Sequence, residues 1–335
     1  MRAIVPILLT LGAACGHEQP WYPVAPPANG PYTNAVPRRL TFNTGDDRAP
    51  ALWTAGGLIA FSRYDPIASP TSCIAYLPAG GGTLVGTYCP PLPSAADTFV
   101  STWSAPVLSP DGRRVAFLWE RSASTSALGA WTSELIVAPA AALRAPTFRW
   151  ALQEILPEGY VNSIVEPAWI GGGAIRFLAA FDSIWKVKGG GAERFTDSAF
   201  VPRVVMEADP ASGVLRRVAG GDSALAWTPG AGDNFWIVRA PARLLQVSGG
   251  VATERDAFSQ PVADLAFVSG TVVAALGDSA AVEWIDPVTG ARGQIATPGP
   301  VRRVSPAGGR RFVAEVERGV DPFGRPANLW LFELP

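Results

Sequence analysis

Apolar positions along the chain fall in short runs that either alternate with polar residues or continue unbroken, and most runs end at a cluster of Gly, Pro, Asn or Asp. Alternation with a period of two marks a half-covered strand, and a short continuous run marks a strand covered on both faces. Six segments share one longer pattern of apolar strand, tight polar turn and second apolar strand. They are RAPALWTAGGLIAFSRYD from Arg48, SAPVLSPDGRRVAFLWER from Ser104, VEPAWIGGGAIRFLAAFD from Val165, SALAWTPGAGDNFWIVRA from Ser223, VADLAFVSGTVVAALGDS from Val262 and VRRVSPAGGRRFVAEVER from Val301. Each reads as an antiparallel hairpin.

The last two intervals between segment starts are 39 residues and the first three run from 56 to 61. A four-stranded propeller blade takes about 40 to 45 residues, so the short intervals are bare blades and the long ones carry insertions. Second hairpins follow in SELIVAPAAALRAPTFRW, ARLLQVSGGVATERDAFS and AAVEWIDPVTGARGQIAT, which makes four strands per repeat. The sixth repeat ends after one further strand, NLWLFELP, while VPRRLTFN at residues 36–43 precedes the first repeat without a partner. Pairing these two leftovers closes the ring and removes an exposed sheet edge. The fold expected is therefore all-β, a six-bladed propeller over residues 36–335 closed by its N-terminal strand. Between Asp182 and Gly221 two candidate hairpins stand where one blade needs one. One is read as an insertion in the third blade, a seventh blade being the alternative.

The turn of the second repeat, Ser109-Pro110-Asp111-Gly112, follows from its residue types. Pro presets the corner, Asp bonds the turn backbone and Gly takes the left-handed closing position. LSPDGRRVAF, with VSPAGGRRFVAEV, PAWIGGGAIRF and PALWTAGGLIAF, resembles the repeat of TolB-type propellers, in which Ser-Pro-Asp-Gly precedes an apolar strand. Only the second repeat keeps that tetrapeptide intact. The resemblance implies a six-bladed periplasmic propeller that works as a binding scaffold in the cell envelope. The best-known member carries an α/β domain before its propeller, where this chain has only a Pro- and Gly-rich stretch.

The N-terminus points to the same compartment. MRAIVPILLTLGAAC places one basic residue, a short apolar run and small residues in the order of a secretory signal, and the run is too short to span a bilayer as a helix. LGAAC resembles the bacterial lipobox, which makes Cys15 the lipidated residue, although Gly12 stands where that pattern has leucine. The alternative is an ordinary cleaved signal and a soluble periplasmic or secreted protein. Residues 1–15 are thus a signal and 16–35 a tether. If Cys15 takes lipid, Cys73 and Cys89 remain as a pair flanking a hairpin, and an exported chain joins them. Such a loop closure contributes roughly 3 kcal/mol.

Composition then removes several functions. A formal net charge of -1, with basic residues scattered singly or in pairs, gives no positive field for nucleic acid. The single histidine, His17, lies in the tether, so neither a Ser-His-Asp triad nor a zinc site can be built. The two GDSA stretches, Gly221–Ala224 and Gly277–Ala280, are read as turns rather than nucleophile motifs, and no Gly-x-Ser-x-Gly elbow occurs. Asp46, Asp47, Asp65 and Asp233 are placed in loops without the spacing of a calcium loop. Glu120, Glu166, Asp182 and Glu315 adjoin core strands and are read as salt-bridge partners, with a funnel position as the competing assignment. The tryptophans Trp53, Trp169, Trp227, Trp236, Trp284 and Trp330 are read as packing between blades. The expected protein has no catalytic residue, cofactor or metal. It is a monomer that meets the membrane only through its lipid and binds an envelope protein or peptide. A hydrolase or lyase acting on glycans or peptides in the central funnel is the alternative.

Overall fold

The computed structural model describes residues 37–42, 45–65, 69, 71–91, 99–123, 131–151, 155–156, 159–160, 163–180, 184–188, 191–195, 203–318 and 326–335. The expected lipidation site Cys15, His17 and Asp182 lie outside these residues.

After the short strand β1 (Arg38–Arg39), blade 1 comprises β2 (Asp46–Trp53), β3 (Leu58–Tyr64), β4 (Cys73–Pro78) and β5 (Gly86–Tyr88). Blade 2 comprises β6 (Phe99–Leu108), β7 (Arg114–Ala123), β8 (Trp131–Pro139) and β9 (Phe148–Ala151). A two-stranded insertion, β10 (Ile155–Leu156) and β11 (Gly159–Tyr160), precedes β12 (Ser163–Trp169) and β13 (Ile175–Ala180) of blade 3. A second inserted hairpin, β14 (Ile184–Lys188) and β15 (Gly191–Phe195), interrupts that blade before β16 (Val204–Ala208) and β17 (Leu215–Asp222) complete it. Blade 4 runs β18 (Ala226–Pro229), β19 (Phe235–Arg239), β20 (Arg243–Ser248) and β21 (Val251–Ala257). Blade 5 runs β22 (Asp264–Val268), β23 (Thr271–Ala275), β24 (Ala281–Ile285) and β25 (Arg292–Ala296). Blade 6 is β26 (Val301–Pro306), β27 (Arg311–Glu317) and β28 (Ala327–Glu333), with β1 as its outer strand.

The six blades form the expected propeller, and the surplus hairpin is an insertion rather than a seventh blade. The inner strands β2, β6, β12, β18, β22 and β26 touch in sequence and β26 returns to β2. Closure uses Arg38 opposite Leu331 and Arg39 opposite Trp330. It is extended by the Leu40 amide donating to the Leu329 carbonyl at 2.7 Å and the Leu329 amide donating to Thr41 Oγ1 at 3.0 Å.

Six apolar clusters occupy the six junctions between blades. Leu40, Phe61 and Leu77 meet Leu329 and Leu331 where blades 1 and 6 join. Phe177 and Met206 meet Leu118 and Leu135 between blades 3 and 2. Burial on both sheet faces explains why the strands of the sequence read as continuous apolar runs. The tryptophans act at these junctions: Trp53 Nε1 donates to the Pro110 carbonyl at 3.1 Å and Trp169 Nε1 to the Val107 carbonyl at 2.9 Å. Trp236 stacks on Phe267 across the next junction but one, with centroids 6.0 Å apart.

In the turn of blade 2, Ser109 is fully buried and its hydroxyl donates to Asp111 Oδ1 at 2.6 Å while accepting the Arg114 amide at 3.0 Å. Asp111 Oδ1 also accepts the Arg113 amide at 3.1 Å. Gly112 has φ +67, and a Cβ there would lie 2.1 Å from Trp53 Cζ2. The glycine is required twice, by the turn conformation and as the seat of the neighbouring blade's indole. Cys73 and Cys89 are joined at the ends of the β4–β5 hairpin.

Antiparallel order fixes which connections share a face. Inner strands all start at one end of the ring, termed the entry face, and their Ser-Pro-Asp-Gly-type turns lie at the other, the turn face. Links from second to third strand and from outer strand to the next blade return to the entry face. Every connection of nine or more residues is of these two kinds, including those holding β10–β11 and β14–β15. The strands β11 and β14 adjoin each other.

Candidate functional site

Near the entry face, four inner strands carry a bulge: between Arg48 and Ala51 in β2, Ser104 and Val107 in β6, Val165 and Ala168 in β12, and Val301 and Arg303 in β26. In the first three, the bulge residue takes a left-handed backbone (Ala49 φ 49, Ala105 φ 47, Glu166 φ 57) and is followed by proline. A bulge removes a residue from the ladder, so its amide needs another acceptor. For Ala49 and Ala105 the acceptor comes from the second strand of the preceding blade. Glu315 Oε2 on β27 accepts the Ala49 amide at 2.9 Å, and Ser62 Oγ on β3 accepts the Ala105 amide at 2.9 Å.

In blades 5 and 6 the column held by Pro50, Pro106 and Pro167 is occupied by Asp264 and Arg303. Asp264 Oδ2 accepts the Val304 amide at 2.8 Å, tying blade 5 to blade 6. The Arg303 side chain crosses the channel from blade 6 to the opposite blade 3, where Nη1 donates to Glu166 Oε1. The same nitrogen lies 3.7 Å from Asp264 Oδ1. Glu166 Oε2 accepts the Trp227 amide at 3.3 Å, and the Glu166 carbonyl accepts Trp227 Nε1 at 3.0 Å. Arg48 Nη1 donates to Glu315 Oε1 at 3.3 Å, and Arg48 Nε pairs with Asp46. The channel mouth therefore holds four carboxyls, Glu166, Asp264, Glu315 and Asp46, on two guanidiniums, with Glu166, Asp264 and Glu315 only 11%, 4% and 3% exposed.

Burial pushes the Glu166 carboxyl above its ordinary range, against the pull of Arg303. Asp264 is raised further, by burial and then by the Glu166 charge beside it. Glu315 is raised by burial, opposed by Arg48 and the Ala49 amide. Arg303 is disfavoured by burial, but Glu166, Asp264 and Glu315 outweigh it and hold the guanidinium charged.

Of the acidic residues singled out in the sequence, Glu166 and Glu315 belong to this cluster as ion-paired channel residues. Glu120 is separate: it faces Thr102, whose hydroxyl donates to it at 3.5 Å, and burial raises its carboxyl. Asp46 and Asp47, expected in loops, lie in β2, where Asp47 pairs with Arg63 at 3.3 Å. The inner strand starts earlier than the apolar pattern because its first residues are polar and held by partners, Asp46 Oδ1 accepting the Ala327 amide at 2.8 Å. The GDSA stretches sit at the end of β17 and between β23 and β24. The turn Ser109–Gly112 lies on the turn face, away from the cluster. Asp264, Arg303 and Arg48 were not singled out by sequence reading. The available signal was the alignment of the six repeats, in which Asp and Arg replace the bulge proline.

No protein-family model and no curated protein sequence matches the chain. Solved structures do, at identities that carry the fold alone. TolB from Acinetobacter baumannii aligns with TM-score 0.51 and 15% identity over 80% of this chain and 59% of its own. A calcium-binding protein, regucalcin, from Agrobacterium tumefaciens aligns with TM-score 0.54 and 12% identity over 89% of this chain and 93% of its own. The PQQ-bound aldose sugar dehydrogenase from Streptomyces coelicolor aligns with TM-score 0.52 and 15% identity over 92% and 99%. The fold is thus shared by binding proteins and enzymes, and function has to be read from the site.

Proposed function

We propose that this chain is an exported binding protein of the bacterial envelope, held by lipid on Cys15, that engages a protein or peptide partner through the entry face of a TolB-like propeller. The observation that carries this reading is the placement of the longest connections, including both inserted hairpins, on the one face. Rigid scaffolds display recognition on variable loops, whereas no connection on the turn face exceeds the eight residues between β8 and β9. The lipobox-like LGAAC and the Cys73–Cys89 pairing support the compartment.

The channel supports binding rather than two-carboxylate hydrolysis. Glycoside cleavage by an acidic pair requires carboxyls about 5 to 9.5 Å apart to admit a bond or a water between them. Glu166 and Asp264 instead both engage one guanidinium nitrogen, Arg303 Nη1. Nor does the cluster fit a calcium ion of the kind named for regucalcin. Among the described residues no three His, Cys, Asp or Glu converge on one point, and the channel carboxyls are engaged by guanidiniums and backbone amides.

The test is to replace residues 183–200, which carry β14–β15, by a short turn, and compare partners recovered by proximity labelling in the native envelope. Blade 3 keeps β12, β13, β16 and β17, so the variant is expected to fold and to lose a reproducible neighbour. An unchanged neighbour set would overturn the assignment of this face.

A further inference from the structure

We infer that the Glu166–Asp264 carboxyl pair is a proton-binding site that holds one proton in the folded protein and uses it to latch blade 3 to blades 5 and 6 across the channel. Two carboxyls gathered on one guanidinium nitrogen, 11% and 4% exposed, cannot each carry a charge without repulsion in a low-dielectric site. One guanidinium is available to them, and Arg303 Nη1 reaches both. One anion against one cation is the balanced state, which leaves one carboxyl protonated as donor to the other.

The surroundings assign the proton to Asp264. Each carboxyl accepts a backbone amide, Trp227 on Glu166 and Val304 on Asp264, so the guanidinium separates them: Glu166 has the direct bond to Arg303, which favours its ionised form. Asp264 lies farther from the guanidinium, at 3.7 Å, and is the deeper of the two. Among the described residues, the other charged groups near the pair have partners of their own. On β27, Glu315 is bound to the Ala49 amide and Arg48, and on β2 Arg48 is shared with Asp46. On the blade 2 side, β6 presents the neutral Thr102 and Ser104, with Glu120 on β7 bonded to Thr102. β18 contributes the Trp227 backbone and indole.

The energetic sign follows from linkage. A carboxyl that titrates higher in the folded than in the unfolded chain gives the folded state an extra proton between those two values. Stability contributed by that proton is complete below the unfolded carboxylate range and is lost as pH rises through the folded value. The direction of the shifts on both carboxyls agrees. One bound proton changes the unfolding equilibrium constant by at most about tenfold per pH unit in that window.

The experiment is urea unfolding of the full chain from mildly acidic to mildly alkaline pH, for the unmodified protein and Asp264→Asn. Asn keeps a carbonyl for the Val304 amide and an N–H for Glu166, so it mimics the protonated acid permanently. The unmodified protein is expected to lose stability as pH rises, and D264N to lose that component, gaining up to tenfold per pH unit relative to the unmodified protein. Parallel profiles would overturn the proposal. Infrared spectroscopy of the unmodified protein provides a second readout that does not depend on the variant folding. A buried protonated-carboxyl carbonyl band at neutral pH is expected, and its absence would equally overturn the proposal.

Discussion

Truncating Leu40 tests whether the ring is closed by two strands from opposite ends of the chain. Leu40 follows β1, is 2% exposed, and packs with Ile59, Phe61 and Leu77 of blade 1 and with Leu329 and Leu331 of blade 6. Leu→Ala at a fully buried site costs about 2–5 kcal/mol, combining lost transfer energy with the cavity left behind. The backbone bond from the Leu40 amide to Leu329 survives the change, so the lower half of that range applies, about 3 kcal/mol. Val251→Ala provides the control. It also sits at an outer strand, but is 65% exposed on β21, and the expected cost is below about 0.5 kcal/mol. Urea unfolding of both variants gives the costs, and hydrogen exchange gives the location. In L40A the Leu329 amide, bonded to Thr41 Oγ1, should exchange faster while amides of β20 hold. A cost below 1 kcal/mol, with Leu329 protection unchanged, would refute closure at this seam.

Two other outcomes follow from the turn of blade 2. Gly112→Ala puts a methyl 2.1 Å from Trp53 Cζ2 at a backbone φ of +67, and should destabilise the fold by about 2 kcal/mol, with a change in indole emission that Trp53→Phe abolishes. The Asp111 carboxyl, held below its ordinary range by the Ser109 hydroxyl and then the Arg113 amide, should titrate low by NMR. Its stabilisation of the turn is present above the unfolded value and is lost as pH falls through the folded one, so Ser109→Ala should move the midpoint back up.

Much of this architecture is legible in the sequence because each blade must satisfy local rules by itself. The pattern around Ser109–Gly112 announces a hairpin corner, and the two unpaired ends, VPRRLTFN and NLWLFELP, have only each other to complete a sheet. The inserted β14–β15 was legible as a surplus hairpin, but which of two hairpins was surplus depended on partners: β16 pairs with β13, a contact set by tertiary packing. The channel cluster was the least legible part. Glu166 and Arg303 are 137 residues apart and belong to opposite blades, so no local pattern links them. Asp264 sits in VADLAF, which reads as an ordinary strand start, and only a column-by-column comparison with Pro50, Pro106 and Pro167 marks it as a channel position.

Site-directed photocrosslinking within a single blade tests the binding account most directly. Asp278, between β23 and β24, is exposed on the entry face, and Val288, between β24 and β25, is exposed on the turn face of the same blade. With a photoreactive residue at each position in the mature protein in its native envelope, the account predicts a discrete adduct of one reproducible partner from position 278 and none from 288. The same adduct from position 288, or none from any entry-face position, would contradict it.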